Sequence, residues 1–228
     1  PASEWGQALF ITDSEDDADV VQAIPQSFVL QWAPGLGPAF QGLYVPLRYT
    51  VEGKYPNSRY FTYQILLEDF MLLLLAYAFS WQYAFALWWL FLSLYTIYEI
   101  GYYDNDRHGI AHETNPVVSD ESRHFTSHPR FKPWLYAGLF ALIGLAPLLF
   151  YPLQPTPALA GALLKALGWW LAILLFLHAL FWLFNQYPPK RRVALFPLLH
   201  LFKTFSFTFF VPLPMLGVCL LFAQVISI

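Results

Sequence analysis

Long apolar segments with few charges dominate the chain after residue 63. A helix needs about 20 mostly apolar residues to cross a bilayer, and about five segments approach that length. We therefore predict an all-α, polytopic transmembrane helical bundle of about five spans. The fifth segment contains VPLP at 211–214, so it forms either one kinked span or two short ones. The predicted spans are Ile65–Trp81, Tyr83–Tyr102, Trp134–Tyr151, Ala158–Phe184 and a segment that begins near Val193.

The first 62 residues lack such a segment and are predicted to form a separate, irregular region. The first 24 residues carry six acids and no Lys or Arg, unlike a cleavable signal peptide, and they predict an acidic arm that could dock on a partner. Residues 25–62 are rich in Pro, Gly and aromatic side chains, as in segments that lie at a membrane surface. The sequence thus predicts residues 1–62 as an acidic arm and interfacial segment, and residues 63–228 as the transmembrane helical domain.

Composition indicates a membrane protein. Hydrophobic residues make up 57% of the chain and charged residues 12%, against about 25% charged residues in soluble domains. With five spans, ten of the twelve Lys and Arg residues fall on one side, and the positive-inside rule makes that side cytoplasmic. We expect an integral protein of a bacterial inner membrane, surrounded by membrane lipids, with a cytoplasmic N-terminus. The net charge of −3 and the loop positions of the bases argue against nucleic-acid binding.

The densest charge in the apolar part of the chain lies in YEIGYYDNDRHGIAHETNP, Tyr98 to Pro116, which we call the charged mouth. It follows the second predicted span. Glu99, Asp106 and Glu113 are spaced by seven residues, which places them near one face of a helix. Carboxylates commonly hold Mg²⁺ together with substrate phosphates. With the basic residues nearby, this pattern suits a lipid diphosphate.

The charged mouth resembles the UbiA-type membrane prenyltransferases, a family marked by N-D-x-x-D-x-x-x-D at the cytoplasmic end of its second helix. Asn105 and Asp106 match the N-D pair. Glu113 stands at the last acidic position, and Gly109 occupies the middle one. The segment FNQYPPKRRVALFPLLHLFKTF at 184–205 is similar to the family's basic turn between helices four and five.

The resemblance implies Mg²⁺-assisted ionisation of an isoprenoid diphosphate and transfer of the prenyl group, with Asp106 and Glu113 as catalytic residues. The family has nine helices and a second Asp-rich motif, which this sequence does not contain. We therefore expect binding of an isoprenoid or lipid (di)phosphate and leave catalysis open. The expected Mg²⁺ ligands are Asp106, Glu113, Asp104 and Glu99, and the expected diphosphate contacts are Asn105, Arg107, Arg191, Arg192 and Lys203.

Two alternatives remain open. The missing second motif favours a non-catalytic accessory subunit of a larger membrane complex, in which the N-terminal region docks on membrane-protein partners. His108 and His112, and His124 and His128, each form an H-x-x-x-H pair. Imidazole with carboxylate suits zinc or non-haem iron, so the second alternative is a histidine-ligated metal oxidoreductase of the membrane desaturase or hydroxylase kind.

Overall fold

The computed structural model describes residues 8–12, 17–30, 43–56, 59–150 and 157–227. These residues are mostly helical, as the apolar segments predict, with two short strands in addition. Contacts divide the chain into two compact units, Pro1–Leu43 and Tyr44–Ile228. The composition of residues 44–62 groups them with the N-terminal region, but their contacts place them in the helical unit.

The first unit contains a helix between two paired strands. Strand β1 (Leu9–Thr12) runs parallel to β2 (Gln26–Val29), with Leu9 opposite Gln26. Helix α1 (Ala18–Ala23) makes the crossover that parallel strands require. Four acidic residues of the predicted arm lie outside the described residues, namely Glu4, Asp13, Glu15 and Asp16.

The second unit is built from helices. Two π-helices and a short α-helix precede the long helix that carries the charged mouth. In chain order the helices are π1 (Tyr49–Lys54), π2 (Phe61–Phe70), α2 (Met71–Ala76), α3 (Trp81–His112), α4 (Asp120–His124), α5 (Lys132–Phe150), α6 (Pro157–Gln186), α7 (Pro189–Arg192), α8 (Phe196–Phe205), a 3₁₀-helix (Ser206–Phe209) and α9 (Met215–Ile226).

Three helices among the described residues are long and apolar enough to cross a membrane: Tyr83–His112, Lys132–Leu149 and Leu159–Gln186. They match the second, third and fourth predicted spans and indicate a membrane location. The first predicted span is a π-helix followed by a short α-helix, which ends where Ala78 and Phe79 have positive φ angles of 54° and 50°. The last divides around VPLP into two short helices, because proline lacks the N–H that a continuous helix needs. The count of five spans is therefore not confirmed.

Helix α3 lies at the centre of this unit and packs against α5 and α6. The hydroxyl of Ser93 donates to the carbonyl of Ala137 at 2.7 Å and accepts from Trp170 Nε1 at 2.9 Å. Gly144 lets α5 approach α3 closely, because a Cβ there would lie 2.9 Å from the carbonyl oxygen of Ala86. Small and hydroxyl residues are typical of close helix contacts in membranes. This packing fixes the position of the charged end of α3.

Candidate functional site

Glu99 of α3 anchors the segment that precedes π2. Its side chain is fully buried. It accepts hydrogen bonds from Tyr44 Oη and from the backbone N–H groups of Leu47 and Thr50, each at 3.1 Å. A buried carboxylate is stable only when its oxygens are satisfied. Glu99 thus acts as a structural acceptor for residues 44–54, which we call the clamp.

Asp106 holds the same clamp two turns further along α3. It is 2% exposed, and it accepts hydrogen bonds from Tyr49 Oη at 2.6 Å and from Lys54 Nζ at 2.5 Å. Burial, and next the hydrogen bond to Asp106, raises the pKa of Tyr49. Burial likewise raises the pKa of Tyr44 beside Glu99. Both oxygens of Asp106 are therefore occupied by donors from the clamp.

Glu113 meets a different partner. It is the C-cap of α3 and has extended backbone angles. Its carboxylate accepts from Arg192 Nη1 at 3.0 Å, and the same nitrogen lies 3.5 Å from Asn105 Oδ1. Arg192 thus connects the turn before α8 to the end of α3. Since Glu99 and Asp106 face the clamp and Glu113 faces Arg192, the three acids do not form one ligand set in this arrangement.

The remaining charges of the mouth are mostly paired within the protein. Asp104 lies 2.7 Å from Arg130, and this hydrogen-bonded pairing raises the pKa of Arg130. Arg107 donates to Tyr103 Oη at 3.2 Å and also to a backbone carbonyl. Arg191 is exposed, and no ion pair to it occurs among the described residues. Of the predicted phosphate contacts, Arg107 and Arg191 therefore have no ion pair in the described part of the chain, and Arg191 is the exposed one.

Lys203 lies in a buried ion pair. Its Nζ is 2.9 Å from each carboxylate oxygen of Asp69, which also accepts from Gln224 Nε2 at 3.1 Å and from Tyr95 Oη. The sequence contains the signal for this pair, since Asp69 and Lys203 are opposite charges within apolar segments, where charges usually pair. The contacts of Tyr49 and Lys54 with Asp106 have no such signal, because no pattern in the sequence links π1 to the end of α3.

A cavity of about 440 Å³ lies beside α3. Lys54 and Asn105 border it, as do Lys203 and His200, whose buried Nδ1 has no hydrogen-bond partner in the described part of the chain. Seven of the fourteen lining residues are Tyr or Phe, and six others are polar or charged. Pockets that combine aromatic walls with placed polar groups typically bind small molecules. The cavity is lined by Lys54, Tyr55, Tyr60, Gln64, Glu68, Tyr98, Tyr102, Asn105, Phe181, Phe184, Phe196, Leu199, His200 and Lys203.

The predicted metal ligands do not converge. His108 and His112 stack with their ring centroids 4.2 Å apart on α3, whereas His128 is buried, with Nε2 3.7 Å from Glu99 Oε2. Over the described ranges, no group of three or more His, Cys, Asp or Glu side chains is placed to hold a metal ion. The described residues therefore form no preassembled ligand set for Mg²⁺, zinc or iron, and these metals stay predictions.

Comparisons with known proteins give no match. No protein-family model, curated protein or solved structure is similar to this chain at a significant level. The relation to UbiA-type prenyltransferases therefore stays a prediction that depends on the residues of the charged mouth.

Proposed function

We propose that this protein is an integral membrane protein that binds an isoprenoid phosphate lipid in the cavity beside α3. The phosphate lies at the end bordered by Lys54 and Asn105, and the isoprenoid chain lies among the aromatic side chains. The topology that fits this proposal has π2–α2 as the first span, a cytoplasmic N-terminus and a last segment that folds back, because Lys203 of α8 and Gln224 of α9 both contact Asp69. The basic loops then lie on the cytoplasmic side.

One observation carries the proposal: Asn105, from the N-D pair, lines the same cavity as two lysines. An ammonium group has three donors and an amide has two. Lys54 uses one donor on Asp106, so others are left for a phosphate oxygen. The stacked rings of Tyr55 and Tyr60, 3.8 Å apart, provide an apolar wall for the chain.

The charges around the cavity favour a monophosphate over a diphosphate as the simplest ligand. Lys54 is compensated by Asp106, and Lys203 is compensated by Asp69. Glu68 adds a carboxylate to the lining, so a phosphate must draw on hydrogen bonds from Lys54 and Asn105 rather than on an excess of positive charge. A diphosphate brings more negative charge and would need a cation with it, which is the role that the resemblance gives to Mg²⁺. No step of the proposed binding depends on that ion.

The occupied carboxylates favour binding without catalysis. Asp106 and Glu113 each already pair with a cation of the protein, so a metal ion would have to compete with Lys54 and Arg192 for them. This observation also supports the second candidate, a non-catalytic accessory subunit of a membrane complex. In that case Asn105 has no ligand, and its replacement leaves function unchanged.

The test is equilibrium binding of farnesyl monophosphate to the full chain in lipid nanodiscs. We expect Asn105→Leu to weaken binding by roughly ten- to a hundredfold, because a hydrogen bond to a charged group contributes about 1.5–3 kcal/mol. Among the described residues, the side chain of Asn105 makes one long hydrogen bond, to Arg192, so the fold should survive the change.

Asn115→Leu is the matched control, since Asn115 is exposed beyond the end of α3. Equal binding by wild type, Asn105→Leu and Asn115→Leu would refute the cavity as the phosphate site. Absence of binding to all three, with wild-type assembly into a larger complex, would favour the accessory subunit.

A further inference from the structure

A second cavity, of about 400 Å³, forms a groove between the π2–α2 segment and α9. Its apolar wall consists of five side chains, and four of them, at intervals of four residues, are 40–52% exposed. The wall follows π2 and α2 and ends in the turn after α2. The wall residues are Leu67, Met71, Leu72, Leu75 and Phe79.

This groove adjoins the cavity beside α3. Gln64 and Glu68 line both spaces, so these two side chains mark the boundary between them. On the groove side, Gln224 and Ser227 of the α9 end complete the polar rim. A chain that extends out of the first cavity past Gln64 and Glu68 would therefore reach the groove.

The charge at the boundary orients an anionic lipid. Glu68 is exposed and has no ion pair within the described ranges. Its carboxylate repels a phosphate, whereas Lys54 and Asn105 attract one at the other part of the first cavity. The head group is thus held away from the boundary, and the apolar chain is the part that reaches the groove.

We propose that the groove is the binding site for the distal part of the isoprenoid chain and that it determines the chain length the protein prefers. This inference rests on the proposed function, because it takes the phosphate site as given. Chains too short to pass Gln64 and Glu68 occupy only the first cavity. Longer chains gain affinity by packing against Leu75 and its neighbours, and chains that extend beyond Phe79 gain no further affinity. Since lipid tails are as apolar as the groove, the gain comes from packing.

The experiment measures binding of geranyl, farnesyl and geranylgeranyl monophosphate to the full chain in nanodiscs. In the wild type we expect affinity to rise by about tenfold across the series, equal to about 1.4 kcal/mol. Leu75→Trp fills the groove, so it should remove this rise while geranyl monophosphate still binds as in the wild type. Met71→Trp, one turn away, provides a second variant with the same expected result.

Leu139→Trp is the matched control, because Leu139 of α5 is 51% exposed and Leu75 is 49% exposed, and Leu139 lines neither cavity. It should keep the full rise with chain length. Equal wild-type affinity for all three lipids, a rise that survives both groove variants, or its loss in Leu139→Trp would each overturn the inference while the phosphate site stands. Failure of every lipid to bind the wild type would overturn both proposals.

Discussion

The ion pair between Asp69 and Lys203 allows a quantitative test of the core. The side chains of both residues are almost completely buried, with 4% and 9% of their surfaces exposed. Lys203 donates twice to Asp69, and Tyr95 and Gln224 supply further donors to the same carboxylate. We consider Lys203→Met, Asp69→Asn and the double variant, which together form a thermodynamic cycle.

The expected magnitude follows from what each single variant leaves behind. Lys203→Met leaves a buried carboxylate with only neutral donors, and Asp69→Asn leaves a buried ammonium without a counter-charge. Removing one partner of a buried pair costs about 3–5 kcal/mol, because the other charge stays desolvated. Replacing both charges by neutral groups can be almost neutral. We therefore expect each single change to lower the free energy of unfolding by about 3–5 kcal/mol and the double change by markedly less than their sum.

The assay is equilibrium unfolding in mixed micelles, followed by circular dichroism. The control is the same cycle at Asp104 and Arg130, whose side chains are 28% and 63% exposed, where each change should cost about 0–1 kcal/mol. Strictly additive effects of Asp69→Asn and Lys203→Met, or effects no larger than those at the exposed pair, would refute the reasoning.

Two further predictions concern packing and pH. Gly144→Ala should lower the free energy of unfolding by about 1–3 kcal/mol, because its Cβ would lie 2.9 Å from the carbonyl oxygen of Ala86. The control is Gly138→Ala on the same helix, whose Cβ meets nothing within 4 Å and which should be neutral or slightly stabilising in the same unfolding assay. The pKa of Tyr49 is raised above its ordinary value of 10.0, so above about pH 10 the unfolded chain releases a proton that the folded chain keeps, and stability falls as pH rises. When unfolding is measured from neutral to alkaline pH, the free energy of unfolding should decline more steeply in the wild type than in Tyr49→Phe, by up to about 1.4 kcal/mol per pH unit. A decline that is unchanged by Tyr49→Phe but removed by the exposed-site variant Tyr63→Phe would contradict this assignment.

Much of the helical framework can be predicted from the sequence, because apolar length alone decides whether a segment can span a bilayer. The segments Trp134–Tyr151 and Ala158–Phe184 agree within a few residues with α5 and α6. The boundary between the predicted spans Ile65–Trp81 and Tyr83–Tyr102 is found as a turn at residues 77–80. No feature of the sequence indicates that Phe61–Phe70 forms a π-helix, since π-helices are rare and share the composition of α-helices.

The position of the candidate site could be predicted from the sequence, but the partners of its charged side chains could not. The density of acids near the end of α3 predicts a charged site at that end of the helix. Seven-residue spacing places Glu99 and Asp106 two turns apart, and both are covered by the clamp. The same spacing does not apply to Glu113, because the helix ends at His112. Periodicity predicts contacts only while the helix continues.

The sequence by itself determined which segments are apolar enough to enter a membrane, and where the charges are concentrated. Both follow from local properties, namely transfer of side chains from water and the length of uninterrupted helix. Only the tertiary structure decided which charges meet. Lys54 is paired with Asp106 and Lys203 with Asp69, across 52 and 134 residues of chain. Such pairs depend on how distant segments pack around α3, and this packing also creates the cavity and the groove.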